Sequence, residues 1–144
     1  MNSDATLARL RIFLLLIAAG VFIMTITELF FLGHWNETIQ YLPFALSALG
    51  LITLAYFYFR PNRASTLVLR WSMILIGVCS FIGFYQHMAM NYSFWLEIYP
   101  DAAIWELVRA ILEGENPVLA PGILLLGAVI GLAAIYRHPL LESK

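Results

Sequence analysis

Four long apolar stretches dominate the hydrophobicity pattern of this chain. They cover about residues 10–32, 38–59, 65–90 and 118–136. Each is close to the ~20 residues that a helix needs to cross the hydrocarbon layer of a bilayer. The pattern therefore predicts an all-α integral membrane protein, a bundle of four transmembrane helices formed by one membrane domain over residues 1–144.

A shorter amphipathic helix is predicted between the third and fourth spans, over about residues 101–113. Its apolar side chains recur at the spacing of one helical face. These side chains are Ile104, Leu107, Val108, Ile111 and Leu112. Pro100 and Asp101 favour the start of this helix and Gly114 favours its end. Because aromatic residues surround it, we expect the helix to lie along the membrane interface or to cap the bundle.

Small residues indicate which helix faces pack together, because helices in lipid associate through close backbone approach. One face of the third span carries small residues together with a histidine. These residues are Gly77, Ser80, Gly83 and His87. The spacing predicts that His87 points into the bundle.

The same reasoning applies to the first and last spans. In the first span Gly20, Met24 and Glu28 are four residues apart, which predicts that Glu28 shares the packed face of Gly20. In the fourth span Gly127 and Gly131 form a pair of small residues at the spacing that favours helix packing. We therefore expect Glu28 and His87 to face inward near the same end of the bundle.

Composition and charge agree with a membrane protein and add an orientation. The chain is 62% hydrophobic and 12% charged, whereas soluble domains carry about 25% charged residues. All but one of the Arg and Lys residues fall at the ends that an even number of crossings places on one side, and Arg109 is the exception. The positive-inside rule then predicts that both termini lie in the cytoplasm, and we expect the membrane to be a bacterial inner membrane. Most acidic residues would face the periplasm.

The candidate chemistry lies at that periplasmic end. Two imidazoles and two carboxylates are predicted there, from Glu28, His34, Glu37 and His87. Imidazole with carboxylate suits Zn, Fe, Mn or Cu(II), so the leading hypothesis is a site that binds or handles a divalent transition metal. Further ligand atoms could come from Gln40, Glu97, Glu113 and Glu115.

Other interpretations stay open. The plain structural one is that His34 and Glu37 are solvated headgroup residues, His87 bonds a neighbouring helix, and Glu28 reaches the headgroups or stays protonated. A separate functional one is that Glu28 takes part in a proton relay. A short chain with almost no soluble part also suits a non-catalytic subunit of a respiratory or photosynthetic complex. Another alternative is a protein that handles quinone or lipid, or binds haem between His34 and His87.

The expected partners follow from these interpretations. They are the lipid bilayer and either other membrane subunits or further copies of the chain, and no nucleic acid is expected. The sequence contains no nucleophile elbow, phosphate loop or dinucleotide glycine pattern, so no catalytic residue is predicted. The single cysteine, Cys79, excludes an intrachain disulfide.

Overall fold

The computed structural model describes residues 3–142, and this part of the chain is all-helical, with 81% helix and no strands. In chain order, the helices are α1 (Ser3–Phe31), α2 (Tyr41–Phe59), α3 (Arg63–Ile98), α4 (Ile104–Glu113), α5 (Gly122–Ala134) and α6 (Pro139–Glu142). A short 3₁₀ helix (Thr38–Gln40) leads into α2. The predicted all-α class is confirmed.

Three helical segments within the described residues are long and apolar enough to cross a membrane. They are Ser3–Phe31, Thr38–Phe59 and Arg63–Ile98, and α5 is a shorter apolar helix. These lengths are compatible with a multi-pass membrane protein.

The three long helices and the shorter α5 form an antiparallel ring. Helix α5 packs against both α1 and α3, and α2 packs against both α1 and α3 on the other side. Helix α4 packs on α3, near the end at which α3 finishes. Within the described residues α1 and α3 do not pack directly on each other, so α5 and α2 connect them.

The centre of the bundle is a phenylalanine ring enclosed by two glycines. Phe22 of α1 is 0% exposed. A Cβ atom at Gly50 of α2 would lie 2.6 Å from the Cε2 atom of this ring, and one at Gly127 of α5 would lie 3.0 Å from Cε1. Because side chains larger than hydrogen would collide with the ring at Gly50, these glycines let three helices approach closely.

The predicted small-residue face of α5 is confirmed. Gly127 and Gly131 are both buried, and Gly131 receives Met73 of α3, since an added Cβ atom would lie 2.6 Å from its Sδ atom. The predicted face of α3 is confirmed as well, because Ser80 is 1% exposed and Gly83 lies against Pro121. Helix α3 thus packs along the residues that the spacing indicates.

The predicted face of α1 is wrong. Met24 is 72% exposed, Glu28 is exposed, and an added Cβ atom at Gly20 would meet nothing within 4 Å. The buried face instead carries Leu15, Ala18, Phe22 and Thr25. Since Phe22 enters the space left by glycines of its neighbours, α1 turns this face inward and leaves Gly20 on the outside.

Helix boundaries also depart from the predicted spans, for reasons in the local sequence. Helix α3 continues to Ile98, because no glycine or proline follows His87 until Pro100. Helix α5 begins only at Gly122, since Pro121 has no backbone N–H for a regular helical hydrogen bond. Tighter turns precede it, as the Ala120 N–H donates to the Pro117 carbonyl at 3.0 Å.

Arg11 of α1 contacts the segment that follows α5, at the end of the bundle opposite α4. The Arg11 guanidinium of α1 donates to the carbonyl oxygens of Tyr136 at 3.4 Å and Arg137 at 3.0 Å, just beyond the last turn of α5. A positive charge there is favourable, because helix C-termini leave unpaired carbonyls and carry partial negative charge. The adjacent His138 is half-buried, and burial together with the charge of Arg11 lowers its pKa.

The close contact at Gly50 and the open space at Gly20 predict that one added methyl group changes stability differently at the two positions. Gly50→Ala should lower the free energy of unfolding by about 1–3 kcal/mol, the usual cost of overpacking, because the new Cβ atom collides with the Phe22 ring. Gly20→Ala is the matched control and should be neutral or stabilising, since alanine favours helix and its Cβ atom meets open space. Unfolding in mixed micelles, followed by circular dichroism, measures both. Equal effects at the two positions would contradict this packing.

Candidate functional site

The candidate residues lie at the end of the bundle that carries α4, hereafter the α4 end. It comprises the loop 32–40, the last turns of α3, helix α4 and the segment 114–121. All eight of the sequence-predicted candidate residues lie on or near this end. The direction of each side chain decides whether it can contribute to a shared site.

His34 is positioned by a specific helix ending. Gly33 has φ 61°, a left-handed conformation that favours glycine. The His34 N–H donates to the Leu29 carbonyl at 3.0 Å, and the Gly33 N–H donates to the Phe30 carbonyl at 3.1 Å. These paired bonds are the Schellman motif, which ends α1 and reverses the chain. His34 is half-buried after this turn.

His87 lies on the packed side of α3, as predicted. It is half-buried, and its Nδ1 atom is buried with no hydrogen-bond partner within the described residues. The carbonyl of Pro117 lies beside the ring, and His34 is near enough for the two imidazoles to interact electrostatically. The fold therefore places the two histidines of the predicted site at the same end of the bundle, within electrostatic range of each other.

The predicted carboxylate ligands do not join the histidines. Glu28 is exposed on the outward face of α1, and Glu37 is exposed immediately before the 3₁₀ helix. Gln40 stabilises the loop, because its Oε1 atom accepts from the backbone N–H of Asn36 at 2.8 Å and of Glu37 at 3.3 Å. Its amide oxygen is therefore already engaged.

The acidic residues in the last turn of α3 and in the connection from α3 to α5 also stay apart. Glu97 and Glu115 are exposed, and Glu113 pairs with Arg109 at 2.7 Å. Across residues 3–142, no three histidine, cysteine or acidic side chains gather in a way that could hold a metal ion. The four-residue metal centre thus gains no support from the geometry.

A buried asparagine that the sequence reasoning missed organises this end. Asn91 of α3 is 2% exposed. Its Nδ2 atom donates to the carbonyls of Ile111 at 3.0 Å and Asn116 at 2.8 Å. Its Oδ1 atom accepts from the backbone N–H of Asn116 at 2.9 Å and from the side-chain amide of Asn116 at 3.1 Å. One side chain thereby joins α3 to the end of α4 and to the following segment.

Gly114 allows this approach. A Cβ atom there would lie 2.5 Å from the Cγ atom of Asn91, so only glycine leaves room for the amide. The sequence did contain a signal, because Asn91 follows His87 by four residues and so extends the same helical face. It was missed because the third span was ended at residue 90.

A groove lies between α3 and α4 at this end. Its volume is about 380 Å³, and Trp95, Trp105, Arg109 and Glu113 contribute to its walls. Its charged groups interact with each other within α4. The Arg109 Nε atom donates to Glu113, and this contact raises the pKa of Arg109. Similarly, Glu106 accepts from the N–H of Ala103 at 2.9 Å.

The arrangement at the α4 end is therefore a pair of imidazoles beside a clamp of amide hydrogen bonds. No protein-family model, curated protein or solved structure matches the chain.

The amide clamp yields a graded prediction. Asn91→Ala should lower the free energy of unfolding by about 2 kcal/mol, because each net hydrogen bond contributes about 0.5–1.5 kcal/mol and buried partners lose theirs. Asn116→Ala removes only the side-chain amide contact and should cost about 0.5–1 kcal/mol. Hydrogen exchange, read by mass spectrometry over residues 111–117, should accelerate more in Asn91→Ala. The clamp is refuted if the two variants exchange alike in this segment.

Proposed function

We propose that the chain is a four-crossing protein of a bacterial inner membrane, with both termini in the cytoplasm, and that it acts as a non-catalytic subunit of a larger membrane assembly. The observation that carries this proposal is the outward face of α1, where an acidic side chain lies among exposed apolar ones.

Four crossings are supported by the position of α5 and its flanking turns, which lie alongside the other helices. The pairs Gly83 with Pro121 and Met73 with Gly131 place α5 antiparallel to α3. The contact from Arg11 to the Arg137 carbonyl extends the segment to the start of the bundle. A 13-residue helix such as α5 spans only about 20 Å, and the turns on either side add the remaining length toward the ~30 Å of a hydrocarbon layer.

The cytoplasmic placement of both termini is supported by charge. In the antiparallel ring, the start of α1, the end of α2, the start of α3 and the end of α5 lie at one end of the bundle. These four segments hold Arg9, Arg11, Arg60, Arg63, Arg70 and Arg137. The positive-inside rule favours the cytoplasm for such an end, and the α4 end then faces the periplasm.

The subunit role is supported by Glu28. Its exposed carboxyl makes no hydrogen bond or ion pair with residues 3–142, and its outward neighbours Met24 and Phe31 are 72% and 81% exposed. Ionisable groups at membrane depth are costly and mark functional sites by default. Gly20 on the same face has open space in front of it, which permits close approach of another helix. The partner that fits is a transmembrane helix with a basic or hydrogen-bond-donating side chain at the depth of Glu28.

Site-specific photo-crosslinking in native membranes tests this proposal. A photoreactive residue at Met24 should give a discrete crosslinked species, whereas one at Ile52, which is 66% exposed on α2, should not. Glu28→Leu should reduce that product at least several-fold, and Glu28→Gln should reduce it less because an amide keeps hydrogen bonding. The subunit role is overturned by the absence of any adduct at Met24, or by identical products at Met24 and Ile52.

A second candidate function is binding of a divalent transition metal, or of haem, between His34 and His87. It is favoured by the Nδ1 atom of His87, which is buried without a hydrogen-bond partner among residues 3–142, and by the electrostatic interaction of His34 with His87. Neutral imidazole is a ligand for Zn, Fe and Cu, and a pair of imidazoles also suits haem iron. Water or a partner subunit would complete the coordination of a metal ion.

The third histidine supplies the control for this candidate. Zn²⁺ binding to purified protein should weaken at least about tenfold, or 1.4 kcal/mol, in His34→Ala and in His87→Ala. His138→Ala should bind as the wild type does, because His138 packs against Phe57 beside α5 at the opposite end. Isothermal titration calorimetry measures the affinity, and a Soret band in the purified protein would report haem. Metal binding is excluded at this pair if all three variants bind equally and no Soret band is seen.

A further inference from the structure

Helix α4 packs on α3 with only part of its apolar surface. Ala110 is 9% exposed, and its neighbours Leu107 and Ile111 are half-buried. The rest of the predicted apolar stripe stays uncovered, since Ile104, Val108 and Leu112 are 81%, 52% and 60% exposed. These three residues, with Trp105, form what we call the free face of α4.

A second uncovered side of α4 is polar. Arg109 and Glu113 form an ion pair with side chains that are 70% and 63% exposed, and Glu106 lies on the same side of the helix. A helix with one apolar and one charged side, both uncovered by protein, has the distribution typical of helices that lie in the plane of a membrane interface.

The length of α3 places α4 at such an interface. Helix α3 has 36 residues, or about 54 Å at 1.5 Å per residue, whereas the hydrocarbon layer is ~30 Å thick. Its last turns therefore extend into the headgroup region when α3 crosses the membrane as proposed above. Helix α4 is joined to those turns through Asn91 and the Ile111 carbonyl, so this step rests on the proposed membrane placement.

Two further features point to lipid as the occupant of the free face. The exposed apolar surface of α3 continues to Phe94 and Ile98, which are 47% and 49% exposed, so lipid covering α3 would be continuous with lipid covering α4. Trp105 is 66% exposed, and the Trp95 ring packs against Tyr99 at a tilt of 40°, with ring centroids 4.5 Å apart. Tryptophan and tyrosine are enriched at membrane interfaces, where one part of the ring is apolar and another is wet.

The charge around the free face indicates which lipid headgroups can lie beside it. The last turn of α3 and the connection from α3 to α5 carry Glu97, Asp101, Glu106, Glu113 and Glu115 against the single basic residue Arg109. An acidic surface repels anionic headgroups. We infer that α4 is an in-plane anchor that inserts Ile104, Val108 and Leu112 into the zwitterionic phospholipid of the periplasmic leaflet and keeps Arg109 and Glu113 in water.

Spin labels on single cysteines test this inference in the full chain. In a Cys79→Ser background, labels are placed by Val108→Cys on the free face and by Glu113→Cys on the polar side of the same helix. The protein is reconstituted in phosphatidylcholine vesicles, and collisions with oxygen and with a water-soluble nickel chelate are measured. The ratio of oxygen to nickel collisions should be several-fold higher at position 108 than at position 113. Ile104→Cys should repeat the result of Val108→Cys if either substitution disturbs folding.

A third label separates this inference from the proposed membrane crossing. Val78→Cys lies on α3, where Val78 is 59% exposed, and it should collide with oxygen in the lipid. A label at position 108 that is as accessible to nickel as position 113 overturns the anchor, while a lipid signal at position 78 leaves the crossing intact. A label at position 108 that neither reagent reaches also overturns it, because protein then covers the free face. Absence of the lipid signal at position 78 overturns the membrane crossing and the anchor together.

Discussion

The contact of Phe22 with Gly50 and Gly127 is the constraint on which the bundle depends. Within a hydrocarbon layer, apolar burial gives helices little reason to prefer one another over lipid, so close packing has to supply the attraction. An aromatic ring makes many contacts only if backbone comes near it on several sides. The two glycines provide that proximity on α2 and α5 simultaneously. The Phe22 ring therefore fixes the positions of α1, α2 and α5 along the bundle axis relative to one another.

The helices could be predicted from the sequence, but the facing of α1 could not. Apolar length and helix-ending residues locate the elements, and the small residues Gly127 and Gly131 identify the packed side of α5 correctly. On α1 the same rule fails, because both sides of the helix are apolar and Gly20 is no better a guide than Phe22. Whether Gly20 or Phe22 marks the buried side of α1 depends on Gly50 of α2 and Gly127 of α5, which lie far away in sequence. Glu28 therefore faces outward although the spacing placed it inside.

The candidate site was predictable only in outline for a related reason. His87 follows from the spacing of α3, but the approach of His34 depends on the left-handed turn at Gly33, whose direction spacing does not reveal. Asn91 escaped notice because a rule based on membrane thickness ends the third span before it, whereas the unbroken helical sequence carries α3 onward. The carboxylates were grouped by their position along the chain. Their surroundings instead give Glu113 a local partner and leave the others exposed.

The position of α5 bears on how the bundle is made during synthesis. Helices α1 and α3 do not pack on each other within the described residues, and α5, which is synthesised after both, packs against each of them. Phe22 and Met73 gain their contacts with Gly127 and Gly131 only once α5 has been made. In the folded structure the first three helices thus leave a groove between α1 and α3 that α5 fills. The contacts between Arg11 and the carbonyls that follow α5 then join the beginning of the chain to its end.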